Sequence, residues 1–228
     1  MIKDYYRLAK PRMVYMNVLV AAAAFVFASH QNIDWQSFVV LLAGLFCIVG
    51  SACVFNNYAD RAMDARMVRT QKRPLVAGSI APRQALFFGF MLLAIGVLLM
   101  LFLPPLALAA ALLGFVVYVL VYTPLKPRTP YALYPGAIAG AMPPVVGYAA
   151  AAGALDRFAL AFFLLLFLWQ IPHFLAIARF RYDEYAAAGV PLLVKRPRSE
   201  TERRRARTVF HLSLLLLLAV CLVWILQR

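Results

Sequence analysis

The chain has 228 residues, 64% of them hydrophobic, with a mean hydropathy of +0.80 and a formal net charge of +14. A soluble domain of this length builds one core without so large an apolar fraction, so the composition excludes an ordinary globular domain. The apolar residues come in blocks of roughly 17 to 25, the length an α-helix needs to cross about 30 Å of hydrocarbon. They do not alternate with polar residues as barrel strands would.

Taken in chain order, the blocks fall at 13–29, 37–58, 85–103, 105–123, 131–152, 158–178 and 208–226, which predicts seven spans. Lys3, Arg7, Lys10 and Arg12 precede the first, and the short connection from His30 to Trp35 follows it. Segment 59–84, after the second block, carries Arg61, Arg66, Arg69, Lys72, Arg73 and Arg83. Pro104-Pro105 divides the third block from the fourth, because proline lacks an amide proton and clashes with the preceding turn. Lys126 and Arg128 follow the fourth block, Gly153 to Asp156 the fifth, and the strongly basic 179–207 the sixth. Of the 23 Lys and Arg residues, only Arg157 and Arg228 fall on the opposite side.

This is the positive-inside pattern, with the N-terminus in the cytoplasm. Most of the charge is therefore topological, some is available to anionic lipid or an anionic substrate, and no nucleic-acid partner is expected. Cys47, Cys53 and Cys221 lie within apolar blocks and form no disulfide framework or Cys-x-x-Cys metal motif. Residues 1–228 read as a single transmembrane domain of all-α class, a polytopic helical bundle. The outer connections are short. The long inner segments, 59–84 and 179–207, hold most of the acidic residues, which suggests a polar pocket above an apolar cavity.

The second block ends in Asn56-Asn57-Tyr58-Ala59-Asp60-Arg61-Ala62-Met63-Asp64. Asn56, Asp60 and Asp64 stand at i, i+4 and i+8, one face of a helix, each about 6 Å further along its axis. Oxygen ligands at that pitch suit Mg²⁺, a hard cation usually shared between carboxylates, waters and phosphate oxygens. The competing reading is a carboxylate pair neutralised at the membrane interface by Arg61 or Arg66. Arg66, Arg69, Lys72 and Arg73 follow directly, and such cations stabilise the charge on a departing diphosphate. No Gly-x-x-x-x-Gly-Lys phosphate loop is present. A second acidic segment, Arg179-Phe180-Arg181-Tyr182-Asp183-Glu184-Tyr185, closes the sixth block. It reads either as a solvated interface or as a wall facing the first motif, with Asp183 and Glu184 near a second Mg²⁺. His173 is either hydrogen-bonded between helices or a ligand to haem iron.

The string CVFNNYADRAMDARMVRTQKRPL resembles the first motif of the UbiA prenyltransferase superfamily, in particular its haem-farnesylating branch. AKPRMVYMNVLVAAAAF, VYTPLKPRTPY, GAIAGAMPPVVGYAAAAG and WQIPHFLAIARFRYDEYAAAGVPLL resemble that branch's later segments in the right order, so the likeness covers most of residues 8–194. It implies a Mg²⁺-dependent polyprenyl transferase that moves a farnesyl group from farnesyl diphosphate to a vinyl group of haem b, with addition of water.

By the same resemblance Asn56, Asp60, Asp64, Asp183 and Glu184 are metal ligands. Asp60, Asp64, Lys126 and Asp183 are the catalytic set. Asn56, Arg66, Arg69, Lys72, Arg73, Tyr122, His173, Arg179, Arg181 and Tyr185 bind substrate. An acceptor of aromatic or quinone-precursor type, and an inactive haem-handling paralogue, stay open beside this reading. The chain departs from the family at Gln71-Lys72, where Lys-Asn is usual, and at Glu184, where Asp is usual. The family's nine spans against seven here lead to the expectation that its last two helices are lacking. The lipid bilayer of a bacterial inner membrane, an active site at its cytoplasmic face, and a second copy or a haem-pathway protein as partner complete the expectations.

Overall fold

The computed structural model describes residues 2–30 and 32–227. Gln31, in the first outer connection, and Arg228, placed above on the outer side, lie outside the described residues. Among those described, every regular element is helical. A short α1 (Ile2–Leu8) leads through Lys10 into α2 (Pro11–Ala28). Pro11 takes the first helical turn, where a missing amide proton costs nothing, and Lys10 turns the chain in a left-handed conformation at φ 52°. Asp34 caps α3 (Trp35–Asp64) by accepting from the amides of Gln36 and Ser37 at 3.0 and 3.4 Å. Next come α4 (Pro82–Met100) and α5 (Pro105–Val116). The latter continues through a π-helical stretch, Val117–Tyr122, into α6 (Thr123–Leu125). A 3₁₀ turn, Pro130–Ala132, then precedes α7 (Leu133–Ala152), α8 (Arg157–Phe180), α9 (Tyr182–Ala187) and α10 (Glu200–Leu226).

Six segments are long and apolar enough to cross a membrane: Pro11–Ala28, Trp35–Asp64, Pro82–Met100, Pro105–Leu125, Arg157–Phe180 and Glu200–Leu226. The predicted fifth span, α7, lies outside that set. It is rich in Gly, Ala and Pro and largely buried among α2, α5 and α8. Its small residues serve close packing. A β-carbon on Gly147 would lie 2.0 Å from the Ala21 carbonyl oxygen, so α2 and α7 cross at a separation only glycine permits.

Two boundaries differ from the sequence reading. The second span runs on to Asp64, which carries all three polar residues of its motif on one helix. The last helix starts at Glu200 rather than in the apolar run. The Ser199 hydroxyl accepts from the Glu202 amide, and Glu200 pairs with Arg203 and Arg204 one turn on, so polar contacts support the extra turns. This helix packs on both α8 and α2, with the Phe162 and Trp224 rings 4.3 Å apart.

Because the long helices alternate in direction, one end of the bundle gathers the starts of α2, α4, α7 and α10 with the ends of α3, α6 and α8. At about 1.5 Å per residue the 30 residues of α3 extend about 45 Å, longer than the hydrocarbon core is thick. Its last two turns, with Asp60 and Asp64, therefore reach the interface if Trp35 marks the far side.

Candidate active site

Asn56, Asp60 and Asp64 are all buried along one face of α3, the i, i+4, i+8 alignment expected from their spacing. Unpaired carboxylates in such surroundings are strongly disfavoured, so each must find a cation. Lys126, just beyond α6, donates from Nζ to Asp60 Oδ2 at 2.7 Å. Arg73 pairs with Asp64 through Oδ2. Lys10, from the α1–α2 turn, donates to Asn56 Oδ1 at 2.5 Å. Asn56 Nδ2 donates in turn to Asp60 Oδ2 at 3.2 Å and to Thr123 Oγ1 at 3.0 Å. Three cations thus surround two carboxylates.

Burial, and then the neighbouring charge of Arg73, push the Lys10 ammonium down to about 8. Burial also works against the Lys126 ammonium, but Tyr122 and its partner Asp60 more than offset it, and Lys126 is held above its ordinary value. One oxygen remains unused: Asp64 Oδ1 is buried and has no hydrogen-bond partner. A buried carboxylate oxygen left bare one helical turn beyond a second buried carboxylate fits a divalent cation, which hard oxygen donors suit.

The second acidic segment lies at the same end but does not merge with the first. Among the described residues no three His, Cys, Asp or Glu side chains stand together closely enough to hold a metal. Asp183 is taken by Arg203 at 2.5 Å and Arg196 at 3.0 Å, and Glu184 by Arg69 at 3.2 Å and Arg181 at 3.0 Å. The Arg203 hydrogen bond holds the Asp183 carboxyl below its usual range. The Arg69–Glu184 pair ties the loop after the first motif to α9. Arg179 pairs with Glu202 at 2.9 Å, whereas Arg66 and Lys72 are exposed on their loop.

Between the two segments a groove of about 180 Å³ is lined by Tyr122, Lys126, Leu133, Phe174, Tyr185 and Leu193, among others. Lys126 therefore joins the groove to Asp60. A larger groove, about 580 Å³, lies between α1 and α4, away from the carboxylates. His173 is not among the residues lining either. It packs in the α8–α10 interface, stacked 4.7 Å from Trp169, with Nδ1 2.7 Å from the Ser213 hydroxyl. That hydroxyl donates to the Phe210 carbonyl at 2.7 Å, so Nδ1 carries the proton and Nε2 the lone pair.

Sequence reasoning missed Lys10 and Thr123. Lys10 was absorbed into the positive-inside count, and its one local signal is its place directly before the proline that opens α2. Thr123 stands in an apolar run, and nothing in that run marks a π-helical turn.

Together these features define an integral membrane protein, an α-helical bundle with a buried cation–carboxylate cluster at one end. The chain belongs to the UbiA prenyltransferase family, whose model matches residues 17–227. It is 42% identical over 205 residues to a protoheme IX farnesyltransferase of Sodalis glossinidius, covering 89% of this chain and 69% of that protein. It is 43% identical over 195 residues to that of Edwardsiella ictaluri, covering 85% and 66%. Among solved structures, a UbiA homologue from Archaeoglobus fulgidus bound to DMAPP and Mg²⁺ superposes with a TM-score of 0.72 at 20% identity, over 97% of this chain and 76% of that one. A digeranylgeranylglyceryl phosphate synthase in membranes gives 0.72 at 18%, over 98% and 85%. These two likenesses show the fold.

Proposed function

We propose that this prenyltransferase transfers a farnesyl group from farnesyl diphosphate to a vinyl group of haem b, with capture of water, giving haem O. The observation that carries the donor half is the buried cluster in which Lys10, Arg73 and Lys126 outnumber Asp60 and Asp64. An incoming diphosphate would balance that charge. The acceptor half rests on the relatives, which bear the name protoheme IX farnesyltransferase at 42–43% identity.

Asn56, Asp60 and Asp64 would hold Mg²⁺, with the bare Asp64 Oδ1 as its first ligand. When bound, the metal supplies charge neutralisation at the diphosphate. Lys10, Arg73 and Lys126 donate hydrogen bonds to the diphosphate oxygens as the allylic C–O bond breaks and its electron pair leaves with diphosphate. The isoprenoid tail lies between the apolar helices, which keep water from the allylic cation until the acceptor arrives. The groove beside Lys126, walled by Tyr122, Phe174 and Tyr185, takes the vinyl-bearing edge of that acceptor. The vinyl group's terminal carbon bonds to the farnesyl C1, and the cation left on haem takes up water and loses a proton. Glu184 ties α9 to the loop that carries Arg69, and Asp183 ties α9 to Arg203 in α10. The basic end faces the cytoplasm of a bacterial inner membrane.

The test is a product assay in lipid with haem b, farnesyl diphosphate and Mg²⁺, read by mass spectrometry. Haem gaining farnesyl plus water, dependent on Mg²⁺ and lost in Asp60→Ala and Asp64→Ala, is the expected result. No haem product from folded protein, or a product on an aromatic acceptor instead, overturns it.

A further inference from the structure

The π-helical stretch ends at the metal-binding face, and its effect can be traced atom by atom. A π turn bonds each amide five residues back, and the Thr123 amide does so to the Tyr118 carbonyl. The Thr123 hydroxyl donates to that same carbonyl at 2.8 Å. A hydroxyl has one proton, so Oγ1 can only accept from any further neighbour. Its neighbour is the Asn56 amide, 3.0 Å away. On the other side of Asn56, the Lys10 ammonium has donors and no acceptor, so the atom 2.5 Å from it is the amide oxygen. The two constraints agree. Lys10 requires the oxygen on its side, and Thr123, together with Asp60 Oδ2 at 3.2 Å, requires the NH₂ on the other. The amide's orientation thus follows from the chemistry of both neighbours.

We propose that Thr123 is a positioning residue for the metal–diphosphate site: with its hydroxyl turned to the Tyr118 carbonyl, it shares the Asn56 NH₂ with Asp60 Oδ2 and so holds the amide oxygen on the Lys10 side. When an anion draws Lys10 away, the latch keeps that oxygen in place as a ligand. The π turn contributes by setting Thr123 over Tyr118. The inference rests on reading Asn56, Asp60 and Asp64 as the metal site, and the experiment separates the two.

The experiment measures Mn²⁺ binding in the presence of inorganic pyrophosphate, by electron paramagnetic resonance on purified protein in nanodiscs. Thr123→Val keeps shape and loses the hydroxyl; Thr123→Ser keeps it. With one hydrogen bond to the ligand amide gone, Thr123→Val should weaken Mn²⁺ binding about five- to tenfold. Thr123→Ser should bind like the parent. In an Asn56→Ala background, Thr123→Val should change nothing further, because the residue through which it acts is gone. Equal weakening in both backgrounds, or none in either, overturns the proposal. Thr123→Ala replaces the valine variant if the latter does not fold. Absence of Mn²⁺ binding by the parent protein sinks the site reading itself, a different outcome from parent-like binding by Thr123→Val.

Discussion

Replacing Lys10 by Met separates a topological charge from one that handles substrate. Lys10 is a third cation beside two carboxylates, and burial and Arg73 press its ammonium toward neutrality. Removing it relieves repulsion on Arg73 and Lys126 and leaves the Asn56 oxygen bare. These effects oppose one another, so thermal stability of the empty protein should change little. Donor binding should change a great deal. A hydrogen bond to a charged group contributes about 1.5–3 kcal/mol net, and about 1.4 kcal/mol is a factor of ten. Affinity for farnesyl diphosphate with Mg²⁺ should therefore fall roughly 10- to 150-fold in Lys10→Met. Lys10→Arg, which keeps the charge, should recover most of it. Isothermal titration in detergent, paired with a melting curve for each variant, reads both quantities. Affinity within twofold of the parent, in a variant that melts normally, refutes the role given to Lys10.

Further expectations follow from single contacts. Gly147→Ala places a methyl group against the Ala21 carbonyl, which backbone cannot easily yield, and should destabilise the α2–α7 crossing by about 1–3 kcal/mol, seen as a lower melting temperature in detergent. Trp169→Phe removes the indole donor that holds the Ser213 carbonyl at 2.9 Å and should speed hydrogen exchange in α10 without altering α3 or α4. Asp156 accepts from Tyr148 and from the Phe158 and Ala159 amides, and its carboxyl is held below its ordinary value, first by the Tyr148 hydroxyl. A depressed carboxylate stabilises the fold above its unfolded pKa of about 3.9, and that contribution disappears as pH falls through its lower folded value. Melting temperature should therefore drop below about pH 4, and Asp156→Asn should flatten that drop.

Much of this architecture was legible because the bilayer imposes it. Blocks long enough to span can be counted, and Pro104-Pro105 divides the third from the fourth without any knowledge of packing. The alignment of Asn56, Asp60 and Asp64 was equally legible, since helical pitch alone puts them on one face. The extension of α10 to Glu200 was not, because a basic, charged stretch reads as loop until Ser199 and Glu200 are seen to cap and pair it. Nor was the burial of most of α7, whose small residues serve close approach to α2.

The sorting of the basic residues shows most clearly where sequence reasoning runs out. Positive-inside charge and the charge proposed to bind diphosphate lie on the same side, so no count can divide them. Burial against a carboxylate can. Arg66 and Lys72, adjacent to the motif, are exposed, while Lys10 and Lys126, distant from it in sequence, reach Asn56 and Asp60 directly. Arg196 and Arg203, in the basic stretch after the sixth block, hold Asp183. If the division is correct, neutralising Arg66 and Lys72 together should leave donor affinity nearly unchanged, whereas Lys126→Met alone should reduce it by at least tenfold. A strong loss from the exposed pair in a titration with farnesyl diphosphate and Mg²⁺ would mean that the loop, and not the buried cluster, carries the anion.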